Sequence, residues 1–114
     1  MKTRTVLIAV DAPLVALELE LALEDASAKT RNAGSVPQAL SVIESESLDF
    51  ALVDTRLGDT STTEVMAALA LEQIKFIVFT DNVHGRGGIF ESAATVISKP
   101  FVIEDLLAHI LRLW

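Results

Sequence analysis

The chain has 114 residues, the size of one ordinary domain, and a chain of that length buries roughly two-thirds of its unfolded surface without staples. It has no cysteine, which excludes disulfides, thiolate metal sites and thiol chemistry and suits a reducing compartment. Nine Lys and Arg against sixteen Asp and Glu give a net charge of −7, which disfavours nucleic acid and anionic membrane as partners and leaves basic or phosphorylated partners open.

Val6 to Val10 is a short apolar run, β-branched at three of its five positions, and reads as a strand buried on both faces that stops at Asp11. Although 51% of the residues are hydrophobic, this run and every other fall far short of the ~20 residues that cross a bilayer, so neither a signal peptide nor a membrane segment is expected. Pro13 suits a first helical position, and Leu14, Leu17 and Leu21, with Val15 alongside, trace an apolar helix side running to Asp25, with Glu18, Glu20 and Glu24 on the other side. Lys29 to Ala33 forms a short second strand. Ser35 and Gln38 then make a Ser-x-x-Gln capping box, with Pro37 inside it, for a helix through Leu40 and Ile43.

Phe50 to Val53 is the third strand and stops at Asp54. Ser61 and Glu64 form a second capping box ahead of a helix carrying Val65, Met66, Leu69 and Leu71 towards Glu72 and Gln73. Phe76 to Phe79 is the fourth strand, ending at Thr80. Between Asp81 and Ser92, Gly85, Gly87 and Gly88 each cost about 1 kcal/mol relative to Ala in a helix, so a helix there is short or frayed. Thr95 to Ile97 is a brief fifth strand, broken at Lys99-Pro100, and Ile103, Leu106, Leu107, Ile110 and Leu113 trace the apolar side of a last helix ending at Trp114.

The strict alternation of apolar strands with helices predicts a single α/β domain over residues 1–114, a parallel sheet with helices on both faces, with no further domain expected. Ligand sites in such sheets form beyond the carboxyl ends of the strands. Asp11, Asp54, Thr80 and Lys99 all stand at those ends, so two acids, a hydroxyl and a lysine are expected to converge on one edge.

The run Val6-Leu7-Ile8-Ala9-Val10-Asp11-Ala12-Pro13-Leu14, together with Leu52-Val53-Asp54, Thr80 and Lys99-Pro100-Phe101, resembles the receiver domain of bacterial two-component response regulators over essentially the whole chain. The resemblance implies a flavodoxin-like, doubly wound fold with five strands in spatial order 2-1-3-4-5. It also implies that Asp54 is a phosphoacceptor supplied by a sensor histidine kinase or phosphotransfer protein. Mg²⁺ is then held by Asp11, Asp54 and the backbone carbonyl of Arg56, while Thr80 and Lys99 contact the phosphoryl oxygens once they are present. On this reading the chain is a cytoplasmic, stand-alone signalling protein rather than a turnover enzyme. It signals to a downstream protein target by changing its binding surface, or passes phosphate between kinases.

Three positions depart from the family pattern. Val10 stands where the first of two consecutive acids belongs, which implies weak Mg²⁺ binding. Asp81 replaces the usual small residue after Thr80, and Val96 replaces an aromatic that acts as a switch. These departures keep open a second reading, a phosphorylation-independent pseudo-receiver that serves as a protein interaction module. Arg56 occupies the place where an Asp-nucleophile phosphatase carries its second acid, and His84-Gly85-Arg86-Gly87-Gly88 lacks the ending of a P-loop. His84 and His109 have no third ligand spaced to join them and read as surface imidazoles. Leu111 and Trp114 extend the apolar surface of the last helix, where a partner or a symmetric homodimer can anchor.

Overall fold

The computed structural model describes residues 3–80, 95–98 and 102–113. In chain order the elements are β1 (Thr5–Ala9), α1 (Pro13–Asp25), β2 (Lys29–Asn32), α2 (Val36–Ser45), β3 (Phe50–Asp54), β4 (Arg56–Leu57), β5 (Thr60–Ser61), α3 (Thr63–Leu71), β6 (Lys75–Thr80), β7 (Thr95–Ser98) and α4 (Ile103–Leu113). Five strands form one sheet in the order β2-β1-β3-β6-β7, and every pair in it is parallel. Set apart from the small β4-β5 hairpin, this is the 2-1-3-4-5 order of a flavodoxin-like fold.

The sheet is apolar on both faces because successive strand residues point to opposite sides. Leu7, Ala9, Ala51, Val53, Phe76 and Val78 turn one way and pack with Ala39 and Ile43 of α2 and Val65, Met66 and Leu69 of α3. Val6, Ile8, Phe50, Leu52, Ile77 and Phe79 turn the other way, onto Leu19 and Leu23 of α1 and Leu106 and Ile110 of α4. Each fully buried Leu, Ile or Phe contributes on the order of 1.5–3 kcal/mol, so neither layer is dispensable. The continuous apolar strands follow from this two-sided burial.

The side of α1 turned to the core differs from the expected one. Leu14, Leu17 and Leu21 are 70%, 48% and 58% exposed, while Leu19 and Leu23 are buried and Val15 and Ala16 half-buried. The helix carries leucine at 14, 17, 19, 21 and 23, which is apolar nearly all round, so leucine spacing does not choose a face. The sheet takes the i, i+4 pair Leu19 and Leu23, which stands in line with Val15 and leaves the i, i+3, i+7 set in solvent.

The two capping boxes also resolve differently. At α2 the Ser35 hydroxyl accepts the Gln38 N–H at 3.3 Å, as expected, but the Gln38 Oε1 receives the Gly34 N–H at 2.8 Å. At α3 the box does not form. The helix starts one residue later than the Ser61 cap requires, and Ser61 Oγ accepts from Thr63 N–H at 3.2 Å instead. Ser61 is held in the β4-β5 hairpin opposite Arg56, which fixes it too early in the chain to cap. The expected helix between 81 and 92 lies outside the described residues.

Candidate functional site

Asp54 is the last residue of β3, the central strand, and only 3% exposed, so its carboxylate leaves the sheet within the fold rather than into bulk water. A buried carboxylate is tolerated where hydrogen bonds replace its hydration. One of these comes from the neighbouring strand end. Register pairs Ala9 with Val53, and just beyond the ladder the Asp11 N–H donates to Asp54 Oδ2 at 3.1 Å. Asp11 itself is exposed, and its Oδ1 accepts the Gly58 N–H at 2.8 Å. Two carboxylates are thus brought together at the carboxyl edge of the sheet, as the sequence leads one to expect.

The loop after Asp54 supplies the second half of the arrangement, which sequence reading overlooked. Gly58 and Asp59 form the two-residue loop of the β4-β5 hairpin, whose pairs are Arg56 with Ser61 and Leu57 with Thr60. Gly58 adopts φ of 63°, a left-handed conformation natural to Gly at the first central position of such a turn. That conformation turns its N–H toward Asp11. The Gly-Asp dipeptide is the available signal for the hairpin, although its flanking strands are too short to read from alternation. Thr62, fully buried, donates its hydroxyl to the Asp54 carbonyl and its N–H to the Thr55 carbonyl at 3.0 Å. The Thr55 N–H in turn reaches the Phe79 carbonyl of β6 at 3.2 Å. The loop is therefore tied at both ends to the residues around Asp54.

The Arg56 side chain is exposed and directs Nη2 to the Asp59 carbonyl at 2.9 Å, within its own hairpin. Val10 is buried in the cluster with α1. Its place is apolar, so a carboxylate there is replaced by packing. Thr80 ends β6, paired in register with Ser98 of β7, and Val96 pairs with Val78. Lys99 and Asp81 lie outside the described residues, as does His84. His109 is half-exposed on α4 and makes a 3.2 Å hydrogen bond with Arg112. Among the described residues no group of three or more His, Cys, Asp or Glu is placed to hold a metal, and no helix is long and apolar enough to cross a membrane. Asp11 and Asp54 together offer hard oxygen donors, a set that suits a hard divalent cation keeping most of its waters.

A parallel five-stranded sheet with paired acids at its carboxyl edge defines an α/β domain of the doubly wound class. The response regulator receiver domain family matches the chain over residues 6–111, and the chain belongs to that family. Among solved structures it is similar to a CheY-like receiver domain protein from Methanospirillum hungatei JF-1, with 27% identity and a TM-score of 0.87 over 97% of this chain and 93% of the other. It is also similar to the response regulator protein TrrA from Thermotoga maritima in complex with Mg²⁺-BeF, at 21% identity and a TM-score of 0.85 over 98% of this chain and all of that one. A third is the receiver domain of a sensor histidine kinase from Pseudomonas aeruginosa PAO1 with magnesium in its active-site cleft, at 18% identity and a TM-score of 0.82 over 97% of each chain. Among curated proteins none matches the chain.

Proposed function

We propose that this chain is a receiver that accepts a phosphoryl group on Asp54 from a sensor histidine kinase or phosphotransfer protein. The observation that carries the reading is the buried Asp54 carboxylate held by the Asp11 N–H, with the Asp11 carboxylate fixed beside it by Gly58. An Asp54 oxygen attacks the donor phosphorus, the new P–O bond forms as the donor's P–N bond breaks, and the electron pair leaves with the imidazole. Such transfer depends on positioning and charge neutralisation more than on covalent work by the protein. Asp11, Asp54 and the Arg56 backbone carbonyl are the groups that would hold Mg²⁺, which supplies charge neutralisation at the phosphoryl oxygens. Thr80 and Lys99 are the residues assigned to contact those oxygens after transfer, and that differential contact is what biases the protein-binding surface.

The exposed Leu14, Leu17 and Leu21 lie on α1 directly after Asp11, and support docking of a helical donor alongside the acceptor. Leu111 on α4 is a second exposed apolar position, available to a downstream target or to a homodimer. A cytoplasmic location, where kinase domains and their phosphoryl donors reside, belongs to the same reading.

Val10, buried among apolar side chains where the family pattern has an acid, favours the alternative of a phosphorylation-independent interaction module. One experiment separates the two. Incubation with acetyl phosphate or a histidine kinase in Mg²⁺ should add one phosphate to the wild type, read by intact mass, and none to Asp54→Asn. Labelling that persists in Asp54→Asn moves the acceptor elsewhere, and no labelling from any donor selects the interaction module.

A further inference from the structure

α2 and α3 pack side by side over one face of the sheet, and between their outer sides runs a cleft of about 480 Å³. Its floor is apolar. Leu40 and Ala68 are only partly covered, and Leu71, in the last turn of α3, is 82% exposed, the most exposed of the large hydrophobic side chains among the described residues. A leucine costs little where it stands singly on a surface, but here it borders a concave apolar strip shared by two helices.

The rim of the cleft is acidic throughout. Glu44, Glu64 and Glu72 line it, no Lys or Arg does, and none of the three carboxylates takes part in a hydrogen bond or ion pair among the described residues. Two of them stand where helix electrostatics disfavours them. Glu44 is in the last turn of α2 and Glu72 caps the C-terminus of α3, at the negative ends of the macrodipoles, and neither helix has a base in its last turn. Local stability is therefore given up at the two positions that flank the exposed leucine. A cation brought in from outside relieves both repulsions while an apolar side chain covers Leu71.

We propose that the α2-α3 cleft is a docking site for a basic amphipathic helix of a partner protein, with apolar side chains facing Leu40, Ala68 and Leu71 and Lys or Arg facing the glutamates. A helix of about ten residues matches α2 and α3, which at 1.5 Å per residue run about 14–15 Å. A second copy of this chain is the wrong occupant, since the net charge of −7 sets acid against acid, and α4, the one described helix with a base in its last turn, also carries Glu104 and Asp105 in its first. None of the residues lining the cleft is Asp54 or Asp11, and docking there does not depend on phosphotransfer.

The test uses a synthetic twelve-residue amphipathic helix of Leu and Lys as probe, with a Leu and Glu helix as control, titrated into the ¹⁵N-labelled chain of 114 residues. Amide shifts should cluster on Leu40, Ile43, Ala68 and Leu71. Leu71→Ser should weaken binding at least fivefold with circular dichroism and Tm unchanged, because Leu71 is exposed, and Glu44→Lys combined with Glu72→Lys should weaken it at least tenfold with circular dichroism unchanged and Tm equal or higher, because both lysines stand at helix C-termini. Asp54→Asn should bind as the wild type does, which keeps this result separate from the acceptor assignment. Shifts centred on the α1 leucines, shifts spread over every acidic surface, equal binding of the control, or undiminished binding by Leu71→Ser would each overturn the proposal. So would self-association in sedimentation that Leu71→Ser abolishes, since the cleft would then belong to a second copy.

Discussion

Thr62 shows how much of the placement of Asp54 rests on a neighbouring hydroxyl. Its hydroxyl is fully buried and donates to the carbonyl of Asp54, so Thr62→Val keeps the shape but strands a buried carbonyl without that donor. The expected cost is about 1–3 kcal/mol in urea denaturation, with Thr62→Ser recovering most of it. A loss below about 0.5 kcal/mol in Val would mean that the carbonyl finds another donor. Val10 presents the reverse case, an apolar side chain immediately before Asp11, buried in the cluster with α1. Val10→Asp places a third carboxylate in a buried position, so the variant should be less stable than wild type in chelator and regain stability as Mg²⁺ is added, through ligand linkage. Calorimetry should show tighter Mg²⁺ binding than in the wild type. Unchanged or weaker binding would show that the missing acid is already made up by another group.

At the scale of elements, what the sequence made legible tracks how much of each signal is local. The strands from Val6, Phe50 and Phe76 are continuous apolar runs, and burial on both faces of a parallel sheet leaves no alternation to misread. Asp11 and Asp54 were legible because they terminate those runs. The face of α1 was not, since five leucines satisfy two stripes and only the sheet decides between them. The helix ends were read in place, α1 at Asp25 and α3 towards Glu72, although no glycine marks either. α1 and α3 both close in Schellman motifs, with Ala28 N–H on the Leu23 carbonyl and Ser27 N–H on that of Glu24, and with Ile74 N–H on Leu69 and Gln73 N–H on Ala70. Their left-handed positions are Ser27 at φ 69° and Gln73 at φ 60°, where a glycine would have announced the stop. Ser27→Gly and Gln73→Gly should therefore each stabilise the protein, by roughly 0.5–1 kcal/mol, because relief of the left-handed penalty exceeds the added entropy of an unfolded glycine. Ala22→Gly, inside α1, should destabilise by about as much. Thermal melts of the three variants check the sign, and a Tm that falls in Ser27→Gly would mean that its side chain stabilises the fold more than its backbone strain costs.

At the scale of the whole molecule, the described residues form a sheet between two apolar clusters, one on each face. Ile43 of α2 lies in one layer and Ile110 of α4 in the other, and the clusters share no member. Ile43→Val and Ile110→Val each remove one buried methylene and should each cost about 0.5–1.5 kcal/mol. If the sheet behaves as a rigid partition, the double variant should lose the sum of the two to within about 0.3–0.5 kcal/mol, the tolerance for distant sites without common partners. The prediction bears on signalling because Asp54 leaves the central strand at the sheet's edge, between the helices of both layers. An additive result assigns any transmitted change to the loops and helix termini at that edge, where Thr62 and Asp11 bond to Asp54 and Gly58 to Asp11. A coupling larger than about 0.5 kcal/mol, measured by urea denaturation of the four-member cycle, would show that repacking passes through the strands. In that case a charge added at Asp54 can reach the α2-α3 face as well as the α1-α4 face, and the two surfaces would report the same event.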